Sequence, residues 1–369
     1  MKSSGDIAPN SAYKTSDTTN LDDMIATDRY ANRSDIFDDL IAKTNDHFWD
    51  PMDVRYVDYS EEFDIQSDFV LPPELFPEIN TVQVQSLSDE MRLKLINENT
   101  RWMISGLLHG EQAALMLCSQ MSMSLLDPGA QEYAANQARE EARHVTAFSR
   151  YVNTRWGSPY PVGDVLGGLL NELIDTPLVY KKLIGMQILV EGLAMGLLAV
   201  IYSMSADPLL KRISQLVMTD ESFHHKFGKT WAEKTVPNIT QEEHLQIEDW
   251  AALCFKKLMN NLVDIEQRHL VFSSIGLDWR EVKKSYETDS SVEDKKAQLQ
   301  QQGNVFRSLA KTLIKSNIVT DRTLYLYDQW LDVKTLEGES DALEVVSELV
   351  SKQGVDLLKE INRKRRSWI

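Results

Sequence analysis

Residues 185–200 read GMQILVEGLAMGLLAV, an apolar run broken at its centre by a single glutamate, Glu191, with no lysine or arginine in the run to offset it. An ionised carboxylate buried without a partner is costly enough that the group takes up a proton or recruits a cation. A chain that folds around this run must supply that partner from elsewhere. The wider stretch 183–201 is nearly long enough to cross a bilayer, but Gln187 and Glu191 stand in its middle, and a helix apolar on all sides suits the centre of a large bundle equally well. The reading is a buried bundle helix, with no membrane span.

The punctuation of the rest is helical. Ser88-Asp89-Glu90 opens a helix that passes Glu111 and stops at Asp127-Pro128-Gly129; a second covers 130–156 and closes at Gly157. A shorter helix is expected over 164–173, the apolar helix ends near Ser205, and Asp207-Pro208 opens another that lasts to about Lys234. Another long helix is expected from 241 to about 273, with two or three beyond it. Strand-like alternation is absent, so the fold class is all-α. Residues 1–84, rich in Ser, Thr, Asp and Asn and marked by LPPELFPEI at 71–79, read as a partly irregular N-terminal arm with one short helix near 34–47. A helical bundle is expected over 85–276, and a C-terminal helical extension over 277–369 that packs on the bundle or builds a dimer interface.

Two segments share one local pattern: Glu140-Glu141-Ala142-Arg143-His144 and Asp220-Glu221-Ser222-Phe223-His224. Each holds Glu-x-x-His, which puts a carboxylate and an imidazole one turn apart on one helix face. Glu111 precedes Glu141 by 30 residues and Glu191 precedes Glu221 by 30, the spacing expected of two antiparallel helix pairs that bring their ligands to one level. Glu111, Glu141, His144, Glu191, Glu221 and His224 thus make up the four carboxylates and two imidazoles with which a ferritin-like four-helix bundle holds two metal ions. Oxygen-rich ligation with two imidazoles suits iron, manganese or a mixed pair better than zinc or copper.

Around these six, Glu140 and Asp220 are expected to accept a hydrogen bond from the imidazole of the opposite helix, with Arg143 tying the acids together. His225, four residues after Glu221, also points broadly at the site, whereas His109 faces away. A further Glu-x-x-His at Glu266–His269 lacks a lone glutamate at the matching offset and is set aside. Leu108, Leu115, Phe148, Met195 and Phe223, each within one or two turns of a ligand, are expected to line an apolar substrate pocket.

Composition excludes several classes. The net charge of −17 disfavours nucleic-acid phosphate as a partner. Cys118 and Cys254, remote from each other and from any CxxC spacing, argue against a disulfide framework, a zinc ribbon or a rubredoxin-type iron site. The first residues show no apolar secretory segment, so a cytoplasmic protein is expected.

At LLHGEQAAL, REEARHVTAFSRY, MQILVEGLAMG and TDESFHHKFG the chain resembles the ferritin-like, ribonucleotide-reductase-like superfamily of non-haem di-iron carboxylate proteins, over roughly residues 85–235. The resemblance implies an oxidase or oxygenase that reacts a di-ferrous site with dioxygen and acts on an apolar acyl, alkyl or aromatic small molecule. It implies an external electron donor, a ferredoxin or reductase, and a homodimer is expected. The position of the reductase radical tyrosine holds Phe148, and that of the valine crosslinked in ligand-binding oxidases holds Ala113. Arylamine N-oxygenases add a histidine four residues before the last ligand glutamate; Val217 stands there, which weakens N-oxygenation without removing it, given His225, and leaves monooxygenase, N-oxygenase and desaturase types open. A metal-handling protein of ferroxidase type, without an organic substrate, is the alternative.

Overall fold

Side-chain caps set most of the helix boundaries. The computed structural model describes residues 15–16, 20–289, 305–328, 330–333, 336 and 342–366; the opening residues 1–14 of the arm lie outside them. In the arm, α1 is Asp38–Asp46. The Ser88 hydroxyl accepts the Met91 N–H to start α2, Asp89–Ser124. Asp127 accepts from Gly129 and Ala130 and Pro128 fills the first turn of α3, Pro128–Trp156, which Gly157 closes in the left-handed conformation at φ 84°. α4 is Asp164–Asp175. A π-helical turn, Leu183–Val190, leads directly into α5, Glu191–Met204. Asp207 caps α6, Pro208–Thr235, and a reciprocal Thr240–Glu243 capping box opens α7, Gln241–Val263. Farther on lie α8, Val305–Lys315, and α9, Ala342–Arg366.

The long helices α2 and α3, joined by the loop 125–127, pack along their lengths, as do α5 and α6; the two pairs make a ferritin-like bundle. Among the described residues there is no strand beyond an isolated bridge, Thr15 to Leu125. One apolar cluster gathers Leu117, Cys118, Phe227 and Trp231 at one end of the ligand level, and another gathers Ile104, Phe148, Leu216 and Val217 at the other. Both cysteines are buried and unpaired. Val179–Met204 is long and apolar enough to cross a membrane, yet 72% of its most apolar window is buried inside the fold.

Two local expectations change. The helix expected from 241 to about 273 ends at Val263: Asp264 turns extended, its carboxylate accepts the Glu266 N–H, and a 3-10 turn, Ile265–Arg268, precedes the short helix His269–Ser274. That break swings Arg268 inward, where its guanidinium donates to Glu78 and Asn99. The apolar run is likewise not a uniform α-helix, since the Glu191 N–H bonds to the Met186 carbonyl five residues back. Such wide turns recur at functional sites. Gly228 on α6 makes room for it; a methyl there would stand 2.8 Å from Gln187 Cβ and 3.0 Å from the Gln187 carbonyl carbon.

The C-terminal helix α9 packs on α5 and α6. Its Ser351 hydroxyl donates to the Met218 carbonyl, and its Asn362 amide donates to the Phe48 carbonyl at 2.9 Å, which fastens the arm where it reaches the centre of the bundle.

Candidate metal centre

Glu111 comes from α2, Glu141 and His144 from α3, Glu191 from the first position of α5, and Glu221 and His224 from α6; all six are buried. Glu111, Glu141, His144 and Glu221 each offer a ligand atom within 4.8 Å of the others, and so do Glu141, Glu191, Glu221 and His224. The two groups share Glu141 and Glu221. His144 Nδ1 lies 3.2 Å from Glu111, 3.2 Å from Glu141 and 3.0 Å from Glu221; His224 Nδ1 lies 3.1 Å from both Glu141 and Glu221.

Charge in this cluster does not balance without cations. Burial first, and the neighbouring Glu221 carboxylate second, push the carboxyls of Glu111 and Glu191 well above the usual range. Burial works the same way on Glu221, but the His224 charge and hydrogen bonds from its neighbours outweigh it and hold that carboxyl below the usual range. Four acids thus compete for two imidazoles. Glu111 Oε1 accepts no hydrogen bond at all. Two divalent cations would satisfy both deficits, because each group supplies an oxygen-rich donor set with one imidazole nitrogen and the shared carboxylates can reach both ions.

The far sides of the imidazoles are held. His144 Nε2 sits 2.9 Å from Asp220 and His224 Nε2 sits 2.9 Å from Glu140, each acid reaching across from the opposite helix. A carboxylate on the far nitrogen fixes the tautomer and leaves Nδ1 free to bind a metal. Arg143 bridges the two acids, 3.0 Å from Asp220 and 3.5 Å from Glu140.

Three contributors escaped the sequence reading. From the arm, the Trp49 indole donates to Asp220 at 2.8 Å, and His47 Nε2 lies 3.2 Å from Asp220 and 3.6 Å from Glu140, with its ring stacked on Phe223. Burial lowers the His47 pKa, but its two acidic neighbours overcome that and raise it to about 9, so the ring is a cation at neutral pH. Within α3, Gln137 donates to Glu141 at 2.9 Å and to Glu191 at 3.4 Å. Gln137 had a signal, one turn before Glu141 on the ligand face; His47 and Trp49 had none, since nothing local ties the arm to α6.

Other residues stay apart. His225 faces Gly192, where an added methyl would stand 3.1 Å from its ring carbon, and it joins neither of these two donor groups nor the third cluster, His47, Glu140 and Asp220. His109 turns its Nε2 to the Tyr160 carbonyl. His269 is exposed, and Glu266 pairs with Lys283.

A cavity of about 70 Å³ reaches the centre at Glu111 and Glu191. Its walls include Trp102, Met103, Leu107, Met186, Leu193 and Asn261. None of the five pocket residues expected from the sequence lines it: Leu108 and Phe148 sit in the apolar cluster, Met195 packs against that cluster, and Phe223 covers His47. Closeness to a ligand along the helix did not specify which side of the centre is open. The lining side chains come from α2, α4, the π turn, α5 and α7.

The model of a family described as P-aminobenzoate N-oxygenase AurF matches residues 30–311. No curated protein matches the chain, and no solved structure does.

Proposed function

The chain belongs to the AurF family of p-aminobenzoate N-oxygenases, ferritin-like di-iron oxygenases, and on that footing we propose that it N-oxygenates a small aromatic amine at a di-iron centre held by Glu111, Glu141, His144, Glu191, Glu221 and His224. The observation that carries the reading is the pair of buried donor groups sharing Glu141 and Glu221, with an apolar cavity opening onto Glu111 and Glu191.

The chemistry such a metal pair supplies when bound is reductive activation of dioxygen for transfer of one oxygen atom to nitrogen. For a primary arylamine the first oxidation consumes one dioxygen, two electrons and two protons, and yields the hydroxylamine and water. A ferredoxin or reductase supplies the electrons. The protein's own residues do the rest: Asp220 and Glu140 orient the two imidazoles, Gln137 steadies Glu141 and Glu191, and the leucine and methionine walls keep bulk water from the reacting amine.

Val217 occupies the position at which arylamine N-oxygenases place an extra histidine, and it is buried in the apolar cluster beside Leu216 and Met218. N-oxygenation in this chain therefore falls to the six-residue set alone.

The test is iron reconstitution of the purified chain under anaerobic conditions, chemical reduction, and exposure to dioxygen with a panel of arylamines. Amine-dependent oxygen consumption with hydroxylamine or nitroarene products by mass spectrometry is the expected result. Iron oxidation with no change in any amine would instead point to metal handling.

A further inference from the structure

The cavity's charge inventory bears on which amine enters. Its only charged side chains among the described residues are Glu111 and Glu191, both of which belong to the proposed metal centre; no lysine, arginine or histidine lines it. Four carboxylates balance two divalent cations, so the loaded centre keeps no excess positive charge for a substrate anion. A carboxylate taken into these apolar walls would be desolvated without a partner, which is among the costliest events in a protein interior. The chain's net charge of −17 adds an unfavourable approach for any anion.

The wall supplies a different polar group. Asn261 on α7 lines the cavity between Leu258 and Leu262, is 7% exposed, and its Oδ1 accepts no hydrogen bond. An unpartnered buried carboxamide costs stability unless something else satisfies it. Glu111 and Glu191 border the cavity from α2 and α5, whereas Asn261 borders it from α7, which carries none of the six metal-binding residues. A ring with its amine at the carboxylates can present a second substituent to α7. A substituted ring needs more room than the cavity's about 70 Å³, so Met103 and Met186 in the walls must shift to admit it, which the unbranched thioether does easily.

We propose that Asn261 is a specificity-determining residue and that the preferred substrate is a neutral arylamine whose ring carries an uncharged hydrogen-bond donor, such as a carboxamide or hydroxyl, in preference to a carboxylate. The proposal rests on the N-oxygenation reading for the amine end and on the cavity wall for the other end.

The experiment is titration calorimetry of the iron-reconstituted full chain, without dioxygen, using p-aminobenzamide and p-aminobenzoate, which differ in one charge and little in shape. The amide binds at least tenfold tighter if the inference holds, and Asn261→Leu narrows that gap about tenfold by weakening amide binding. Equal or tighter binding of p-aminobenzoate overturns it, as does failure of both to bind. An Asn261→Leu protein with unchanged amide affinity removes the role of Asn261. The comparison of the two ligands on the unmutated protein stands whether or not the variant folds. Subsequent admission of dioxygen separates the two claims: preferential binding of an amide that is never oxidised supports the selectivity and sinks N-oxygenation, whereas oxidation of both compounds with p-aminobenzoate favoured does the reverse.

Discussion

The two sides of the candidate metal centre are built on opposite rules. Toward the N-terminal arm, His144 and His224 back onto Asp220 and Glu140, and those acids are in turn met by Arg143, His47 and Trp49. Toward α7, Glu111 and Glu191 face apolar walls and one carboxamide, with Gln137 as a neutral neighbour. A charge-paired side fixes ligand geometry; an underpartnered side leaves carboxylates whose ionisation waits for a cation and an open space beside them for substrate. Stability is invested on one side and given up on the other.

The strongest way to break this comparison is on the open side. Glu191→Gln is expected to lower metal content from about two ions per chain to one or none by plasma mass spectrometry and to abolish amine oxidation. It is also expected to raise the melting temperature of the metal-free protein, because burial and Glu221 disfavour the carboxylate there. Wild-type metal content in this variant would remove Glu191 from the ligand set.

On the paired side the losses are graded. Asp220→Asn keeps the shape but loses the acceptor charge facing His144, Trp49 and Arg143, and is expected to cost 10–100-fold in metal affinity or turnover. A loss confined to turnover, with iron affinity intact, would show that Asp220 positions the imidazole without supporting binding.

His47 sharpens the contrast through pH. Its pKa rises from 6.5 to about 9 on folding, so its contribution is fully present below pH 6.5 and is lost as pH climbs through about 9. Urea unfolding of the metal-free protein should show stability falling over that window by roughly 1–3 kcal/mol, and His47→Gln should flatten the slope. An unchanged slope in the variant would place the titration elsewhere.

The smallest effect belongs to a position remote from both sides. Glu248 on α7 accepts hydrogen bonds from Thr320, Arg322 and Thr323; burial opposes its ionisation, but these donors prevail and hold its pKa at about 2. Its contribution is present above the ordinary 4.5 and is lost as pH falls through about 2. Glu248→Gln should cost on the order of 1 kcal/mol at pH 7 in urea unfolding, with metal content unchanged. A drop in metal content would mean that the C-terminal segment is coupled to the centre.

The six central residues were readable because their signal is local or evenly spaced. Glu-x-x-His is a one-turn relation within a helix, and the matched 30-residue offsets need only helices of similar length. The oxygenase class came with the resemblance that those residues carry and agrees with the family match, which also favours the N-oxygenation branch that Val217 had weakened without removing. The cavity was misread because proximity to a ligand along one helix says nothing about where neighbouring helices leave a gap. His47 and Trp49 were invisible for a related reason: Trp49 and Asp220 are 171 residues apart and meet only because the arm crosses the bundle.

By itself the sequence determined an all-α chain, caps at Ser88, Asp127 and Asp207, and a glutamate at 191 that no neighbour in its own run can neutralise. These depend on interactions within a few residues. Only the tertiary structure decided that Glu191 enters its helix from a π turn, that Asp220 is shared by His144, Arg143, Trp49 and His47, and that the open space lies toward Asn261. Those depend on how whole helices and the arm pack, where burial and charge are set by segments that share no local pattern.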